Sequence, residues 1–252
     1  MKSILITGAS GGFGIEFAKQ LEETGHKLIL HGRDRPRLQL TLDALKYRDR
    51  HELITADISN EQGVEFLLKQ IETENELMGL VNNAGFGIWG KFEAADINSQ
   101  RDVLTTDLIA PVLLTHALMP CLIRNHGFII NVSSLAGETP LPFMSIYSAA
   151  KAGLTYWSEA MREEMKGQVA VVTLAPGPSP TGFRDVSGLP IDKGGHAAFR
   201  DSARTVVCAA LTCLEKGGGF CVPGFRHKLL WLIQKITPRS FSLAVMHKSL
   251  RP

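Results

Sequence analysis

Short apolar runs separated by helix-length segments recur along almost all of this 252-residue chain, and that alternation limits the folds open to it. The runs lie near Ser3–Thr7, Lys27–Leu30, Glu52–Ala56, Gly79–Asn82, Gly127–Val132, Gln168–Leu174 and Gly219–Val222. Between them, helices are expected near Phe13–Thr24, Arg35–Tyr47, Glu61–Thr73, Ser99–Leu122, Ile146–Met165 and His196–Leu214. Such repetition predicts an α/β fold: a Rossmann-like, doubly wound, mostly parallel seven-stranded sheet with helices on both faces. No linker, repeat or low-complexity run divides the series. One domain is therefore expected over residues 1–252, with a core over 1–224 and an amphipathic C-terminal extension over 225–252.

Twenty-seven basic residues against 25 acidic ones leave a formal charge of +2, too balanced for a nucleic-acid binder. The four cysteines, Cys121, Cys208, Cys213 and Cys221, form no CxxC and no Cys/His cluster. They read as small buried hydrophobes in a reducing compartment, so neither a disulfide frame nor a metal site is expected. Met1-Lys2-Ser3 leads straight into a short strand and a glycine loop with no signal peptide visible, and a cytoplasmic location is expected. The most membrane-like stretch, Leu108–Ile123, is shorter than the roughly 20 residues a span needs and holds Pro111, His116 and Pro120. A buried helix, at a subunit interface of a homodimer or homotetramer, fits it better.

Thr7-Gly8-Ala9-Ser10-Gly11-Gly12-Phe13-Gly14 follows the first strand and opens the first helix. Glycine lets backbone approach a ligand without a Cβ clash, and the free N–H groups of a helix N-terminus favour an anion. The loop therefore suits the phosphates of a dinucleotide, although its spacing is Gly-x3-Gly-x-Gly and not GxGxxG. Further on, Tyr147-Ser148-Ala149-Ala150-Lys151 lies in a segment with few helix breakers. In a helix, residues four apart share a face, so a phenol and an ammonium come side by side. The cation is expected to lower a phenol pKa that is otherwise near ~10 and so provide a proton donor.

Thr7–Gly14, Asn82-Asn83-Ala84-Gly85, Ser134 and Tyr147-x3-Lys151 resemble, in order and spacing, the short-chain dehydrogenase/reductase family over roughly Ser3 to Gly224. The resemblance implies an oxidoreductase that interconverts a carbonyl and an alcohol with NAD(P). It implies that Gly8, Ser10, Gly12, Phe13 and Gly14 cradle the cofactor phosphates. Asp57 and Ile58 would contact the adenine, and Asn83, Ala84 and Gly85 would line the cofactor cleft. Pro176, Gly177 and Thr181 would meet the nicotinamide, and Gly182–Gly188 would form a substrate lid. Tyr147 would be the acid/base, Lys151 would also hold the nicotinamide ribose, and Ser134 would bind the substrate oxygen; the 13-residue spacing to Tyr147 selects it over Ser133.

Two positions depart from the simplest pattern. At the end of the second strand the family's acidic position is Gly32, and Arg33 sits where NADP-preferring members carry an arginine. Asp34 is the rival NAD carboxylate, with a helix N-cap as its other reading, and the second basic residue of many NADP sites is absent at Gly11. NADP(H) is favoured and NAD(H) remains open. The family's helix asparagine is Asp107 here; its main-chain role survives the change, but an anion near Lys151 alters the proton relay. That departure invites the alternative of a weak or inactive dinucleotide-binding sensor or scaffold.

Phe86, Ile88, Trp89, Leu135, Phe143, Met144, Phe183 and Val186 are expected around the reacting carbon and favour an apolar substrate, whereas Arg184 and Lys193 would suit an acidic one. In the extension, Leu229, Leu232, Ile233 and Ile236 make one helical stripe with Lys228, Lys235 and Arg239 around it. The stripe is expected to pack on its own protein or on a second subunit, ahead of peripheral contact with a membrane.

Overall fold

The computed structural model describes residues 1–71, 75–190 and 200–252. Seven parallel strands form one sheet: β1 (Ser3–Ile6), β2 (Lys27–Gly32), β3 (Glu52–Thr55), β4 (Leu77–Asn82), β5 (Phe128–Val132), β6 (Ala170–Leu174) and β7 (Gly218–Cys221). Their order is β3-β2-β1-β4-β5-β6-β7, the doubly wound Rossmann-like arrangement. The helices are α1 (Gly12–Glu22), α2 (Arg35–Asp43), α3 (Glu61–Ile71), α4 (Ile97–Leu104), α5 (Ala110–Arg124), α6 (Ser145–Glu164), α7 (Phe183–Ser187), α8 (Ala203–Glu215), α9 (Phe225–Ile236) and α10 (Arg239–Leu250). Lys193 and the helix start expected at His196 lie outside the described residues.

Side chains alternate across each strand, so the inner apolar runs feed two cores. Ile4, Ile6, Leu28, Leu30, Ile130 and Val172 pack with Phe17 and Leu21 of α1 and Val206, Val207 and Ala210 of α8. Leu5, Ile29, Leu80, Ile129 and Val171 face the other way, onto Leu67 of α3, Leu114 and Leu122 of α5 and Met161 of α6. Burial on both faces is why these strands read as continuous apolar runs and not as alternating ones.

The helix expected over Ser99–Leu122 runs from Ile97 to Arg124 and is long and apolar enough to cross a membrane by length and composition, with mean hydropathy 1.6. It is a core helix here, since Ala110, Leu114, Thr115, Leu118 and Leu122 are buried against the sheet and α3. Its regularity breaks at a π turn over Thr105–Ile109, where the Ala110 N–H reaches back to the Thr105 carbonyl. Pro111 has no N–H to give to the Asp107 carbonyl, which is the local cause of the irregularity.

The second helix stops at Asp43, four residues before the expected Tyr47, because a tertiary acceptor takes its next amides. The buried Glu22 carboxylate accepts from the Lys46 N–H at 3.1 Å and the Tyr47 N–H at 2.6 Å.

Candidate active site

The strand order reverses between β1 and β4, so the loops after those strands diverge and leave a crevice. A cavity of about 1130 Å³ opens there. On one side stands the glycine loop. Gly8 takes φ +65, and a Cβ on it would press into Ala84 at 2.8 Å, so only glycine lets the two loops meet. Asn83 ties them, donating to the carbonyls of Thr7 (2.9 Å) and Gly8 (3.0 Å). Gly11 caps α1 without a side-chain hydrogen bond, which leaves the first-turn amides as donors for an anion.

Gly8, Ser10, Gly12, Phe13, Arg33, Asp57, Ile58, Asn83, Ala84, Gly85, Pro176, Gly177 and Thr181 all line the cavity, as do Ser134, Tyr147, Lys151, Phe86, Leu135 and Phe183. Gly14 does not: it faces the Gly8 carbonyl and Ala9, and its role is close packing of helix on loop. Trp89 and Phe143 are also off the wall. The Trp89 indole N–H donates to the Leu250 carbonyl at 2.8 Å, and the Phe143 ring lies 5.2 Å from His247, so both hold the C-terminal helices. Asp34 serves as the α2 N-cap, accepting from the Arg37 N–H at 3.0 Å.

At the centre, α6 presents Tyr147 and Lys151, and the end of β5 presents Ser134. The Ser134 hydroxyl lies within reach of the Tyr147 phenol, whose ring packs 5.1 Å from Phe183. Ser133 points the other way, to Thr155 (2.6 Å) and the Lys151 carbonyl (3.0 Å), and serves to seat α6 on β5.

The Lys151 ammonium is 4 % exposed; it donates to the Val132 carbonyl at 2.9 Å and meets Asp107 Oδ2 at 3.1 Å. Asp107 is fully buried beneath the cavity wall, with Oδ1 accepting from the Phe86 N–H at 2.9 Å. Gly85 leaves room for the pair, since a Cβ there would lie 3.0 Å from the carboxylate and 3.1 Å from the ammonium. Burial raises the Asp107 pKa, with Lys151 and the Phe86 N–H opposing. The expectation that Lys151 acidifies Tyr147 is corrected by this arrangement. Burial first and the Asp107 charge second push the phenol above its ordinary value, with only the Ser134 hydrogen bond lowering it. The ammonium is 5.9 Å from the ring centre and has a carboxylate partner of its own.

Three wall residues escaped the sequence reading. Arg37, in the first turn of α2, reaches the Ser10 carbonyl at 3.4 Å. His227 is buried with Nδ1 2.7 Å from Asp201 Oδ2, its ring packed on Gly177, and Nε2 lacks a partner among the described residues. Thr106 adds a buried hydroxyl oxygen without a partner among the described residues.

His31, at the end of β2, gives an acid-stability prediction. Its Nε2–H donates to the Ala56 carbonyl at 3.1 Å while Nδ1 is buried without a partner among the described residues, and burial lowers its pKa to about 4. The unfolded chain then binds the extra proton first, so stability falls as pH drops from about 6.5 towards 4. Between pH 7 and 5 the loss is about 2 kcal/mol relative to a His31→Gln variant, read by urea melts. Parallel pH curves for the two proteins would refute it.

A family model described as short chain dehydrogenase matches residues 2–188. Among curated relatives, ketoacyl reductase HetN of Nostoc sp. is 34 % identical over 183 residues, 70 % of this chain and 63 % of that protein. Sulfoacetaldehyde reductase 2 of Chromohalobacter salexigens is 31 % identical over 204 residues, 79 % of this chain and 81 % of its own. Hence this chain spans a little under two thirds of the length of the first relative and about four fifths of the second. A short-chain dehydrogenase from Sphingobium yanoikuyae, solved in complex with NADPH, superposes with a TM-score of 0.83 at 25 % identity, covering 93 % of this chain and 92 % of that one. Sheet order, glycine loop and the Ser134–Tyr147–Lys151 cluster meet in one crevice, and with these matches the chain belongs to the short-chain dehydrogenase/reductase family.

Proposed function

We propose that the chain is an NADPH-preferring oxidoreductase that interconverts a bulky apolar ketone or aldehyde and its alcohol. One observation carries the reading: Tyr147, Ser134 and Lys151 line one cavity together with the glycine loop, and the Ser134 hydroxyl lies within reach of the phenol. The donor-rich N-terminus of α1 and the glycine cradle fit a dinucleotide phosphate. A bound nicotinamide dinucleotide supplies the hydride. Lys151 and Thr181 would hold its ribose and carboxamide, and Asp57 and Ile58 its adenine. The chain's own work is on the oxygen. Tyr147 Oη holds the proton that passes to it, and the Ser134 hydroxyl donates to it as charge builds.

The cofactor preference rests on two arginines. Gly32 leaves no carboxylate at the end of β2, and a Cβ there would already meet Leu38 and Ser10 at 3.2 Å. Arg33 and Arg37 both line that end of the cavity, so Arg37 supplies the second cation that Gly11 lacks. An Arg33→Ala/Arg37→Ala variant should lose about ten- to a hundred-fold in NADPH affinity by fluorescence titration and little with NADH. Equal losses with both cofactors would remove the arginines from this role.

Phe86, Leu135, Met144, Phe183, Val186 and Leu230 line the cavity and support the apolar substrate. Loss of NADPH absorbance with a panel of ketones and aldehydes tests it: kcat/KM should rise with apolar size, and a preference for short anionic carbonyls would overturn it. A binding protein without turnover is the second reading, favoured by the Asp107 partner of Lys151 alone; no turnover with any carbonyl would select it. We also retain a homodimer or homotetramer, on the exposed Ile97, Ile109, Leu113 and Tyr156.

A further inference from the structure

We propose that α9 and α10 dock the protein on an anionic lipid bilayer, with the mouth of the cavity turned towards the lipid. The orientation of α9 carries the argument, because it is inverted for a helix on a water-soluble protein. Its inward side is polar: His227 pairs with Asp201, the Trp231 indole N–H donates to Glu138 at 2.9 Å, and Gln234 lines the cavity. Its outward side is the apolar stripe. Phe225 and Ile236 are more than four-fifths exposed and Leu229, Leu232 and Ile233 about half, while Phe241 and Val245, one turn apart on α10, are exposed as well. The sequence expectation places the stripe on its own protein or on a second subunit; within the single chain it stays about half or more exposed.

Charge identifies the occupant. Residues 225–252 hold six of the chain's Lys and Arg residues and no Asp or Glu, so the tail carries +6 while the remaining chain carries −4 (21 basic against 25 acidic). A second copy placed on the stripe by a two-fold axis would bring two such cationic surfaces together with no acid from either tail. An anionic bilayer meets both needs, apolar depth for the stripe and negative charge for its edges. By helical geometry Lys228 and Lys235 lie two turns apart along one edge of the stripe, where long cationic side chains bury their stems and keep their heads in water. Lys235 also meets Glu138 at 2.9 Å but stays more than half exposed.

Phe225, Leu229 and Ile233 belong to both the stripe and the cavity wall, so the apolar surface is continuous from bilayer to cavity. The route from lipid to site rests on the oxidoreductase reading above; the docking does not.

The test is co-sedimentation of the full chain with vesicles of phosphatidylcholine alone and of equal parts phosphatidylcholine and phosphatidylglycerol. Binding should require the anionic lipid and weaken with added salt, each cation being worth about five-fold. Leu232→Ser/Ile236→Ser should lower binding at least about ten-fold. Neither residue lines the cavity, so NADPH-dependent turnover of a water-soluble ketone should stay at wild-type level. That assay separates failure of docking from failure of the catalytic reading. Equal recovery with both vesicles, no recovery with either, or a stripe variant that only converts a dimer to a monomer in light scattering would each overturn the proposal.

Discussion

Tyr147→Phe is expected to lower kcat/KM for carbonyl reduction by about 10²- to 10⁴-fold, the range for loss of a positioned general acid. The change removes one oxygen and little else. The ring keeps its packing on Phe183, and Gly87 still leaves the gap that Tyr147 and Met144 fill. Ser134 loses one partner but still accepts from the Ala136 N–H at 3.1 Å. NADPH affinity, read by fluorescence titration, should therefore stay within a few-fold of wild type, and the loss should sit in kcat. Ser134→Ala should cost less, about ten- to a hundred-fold, because Tyr147 keeps its proton there. A Tyr147→Phe enzyme with more than about a tenth of wild-type activity would place the proton donor elsewhere.

Much of this arrangement was readable from the chain because it follows local rules. The inner strands were legible because their apolar runs are buried on both faces. The strand-to-helix glycine turn and the four-residue spacing of Tyr147 and Lys151 needed only backbone geometry. What stayed hidden came from residues distant in sequence. Asp107 sits 44 positions before Lys151, and no helix-face argument places its carboxylate against that ammonium. So the sign of the Tyr147 shift came out wrong: a face holds one neighbour, whereas the field at the phenol sums burial and a second helix. Trp89 and Phe143 were assigned to substrate because they are large, apolar and near the motif, yet their partners, Leu250 and His247, stand more than a hundred residues downstream. Periodicity found the stripe on α9 but carries no information on which way it faces. That depends on Glu138 and Asp201 claiming the helix's polar side.

The buried pair gives the other large effect, and its sign follows from the causes acting on Tyr147. Burial and the negative charge of Asp107 hold the phenol pKa high. With Tyr147 as the proposed acid/base, reduction would need the protonated phenol and fail as pH rises through that pKa, while oxidation would need the phenolate and gain over the same range. Asp107→Asn removes one of the two raising causes and frees the ammonium from its carboxylate partner. The alkaline limb of the reduction profile should therefore move to lower pH, and alcohol oxidation at neutral pH should rise, of the order of ten-fold. Removing the other partner acts on stability instead. Lys151→Met leaves a carboxylate buried at 0 % exposure with only the Phe86 N–H to satisfy it, which should cost about 3–5 kcal/mol in urea melts. The double variant Asp107→Asn/Lys151→Met should recover part of that loss, because no unpaired charge remains inside. Additive stability losses, or a reduction profile that does not move in Asp107→Asn, would mean that the two groups are not coupled across the 3.1 Å contact.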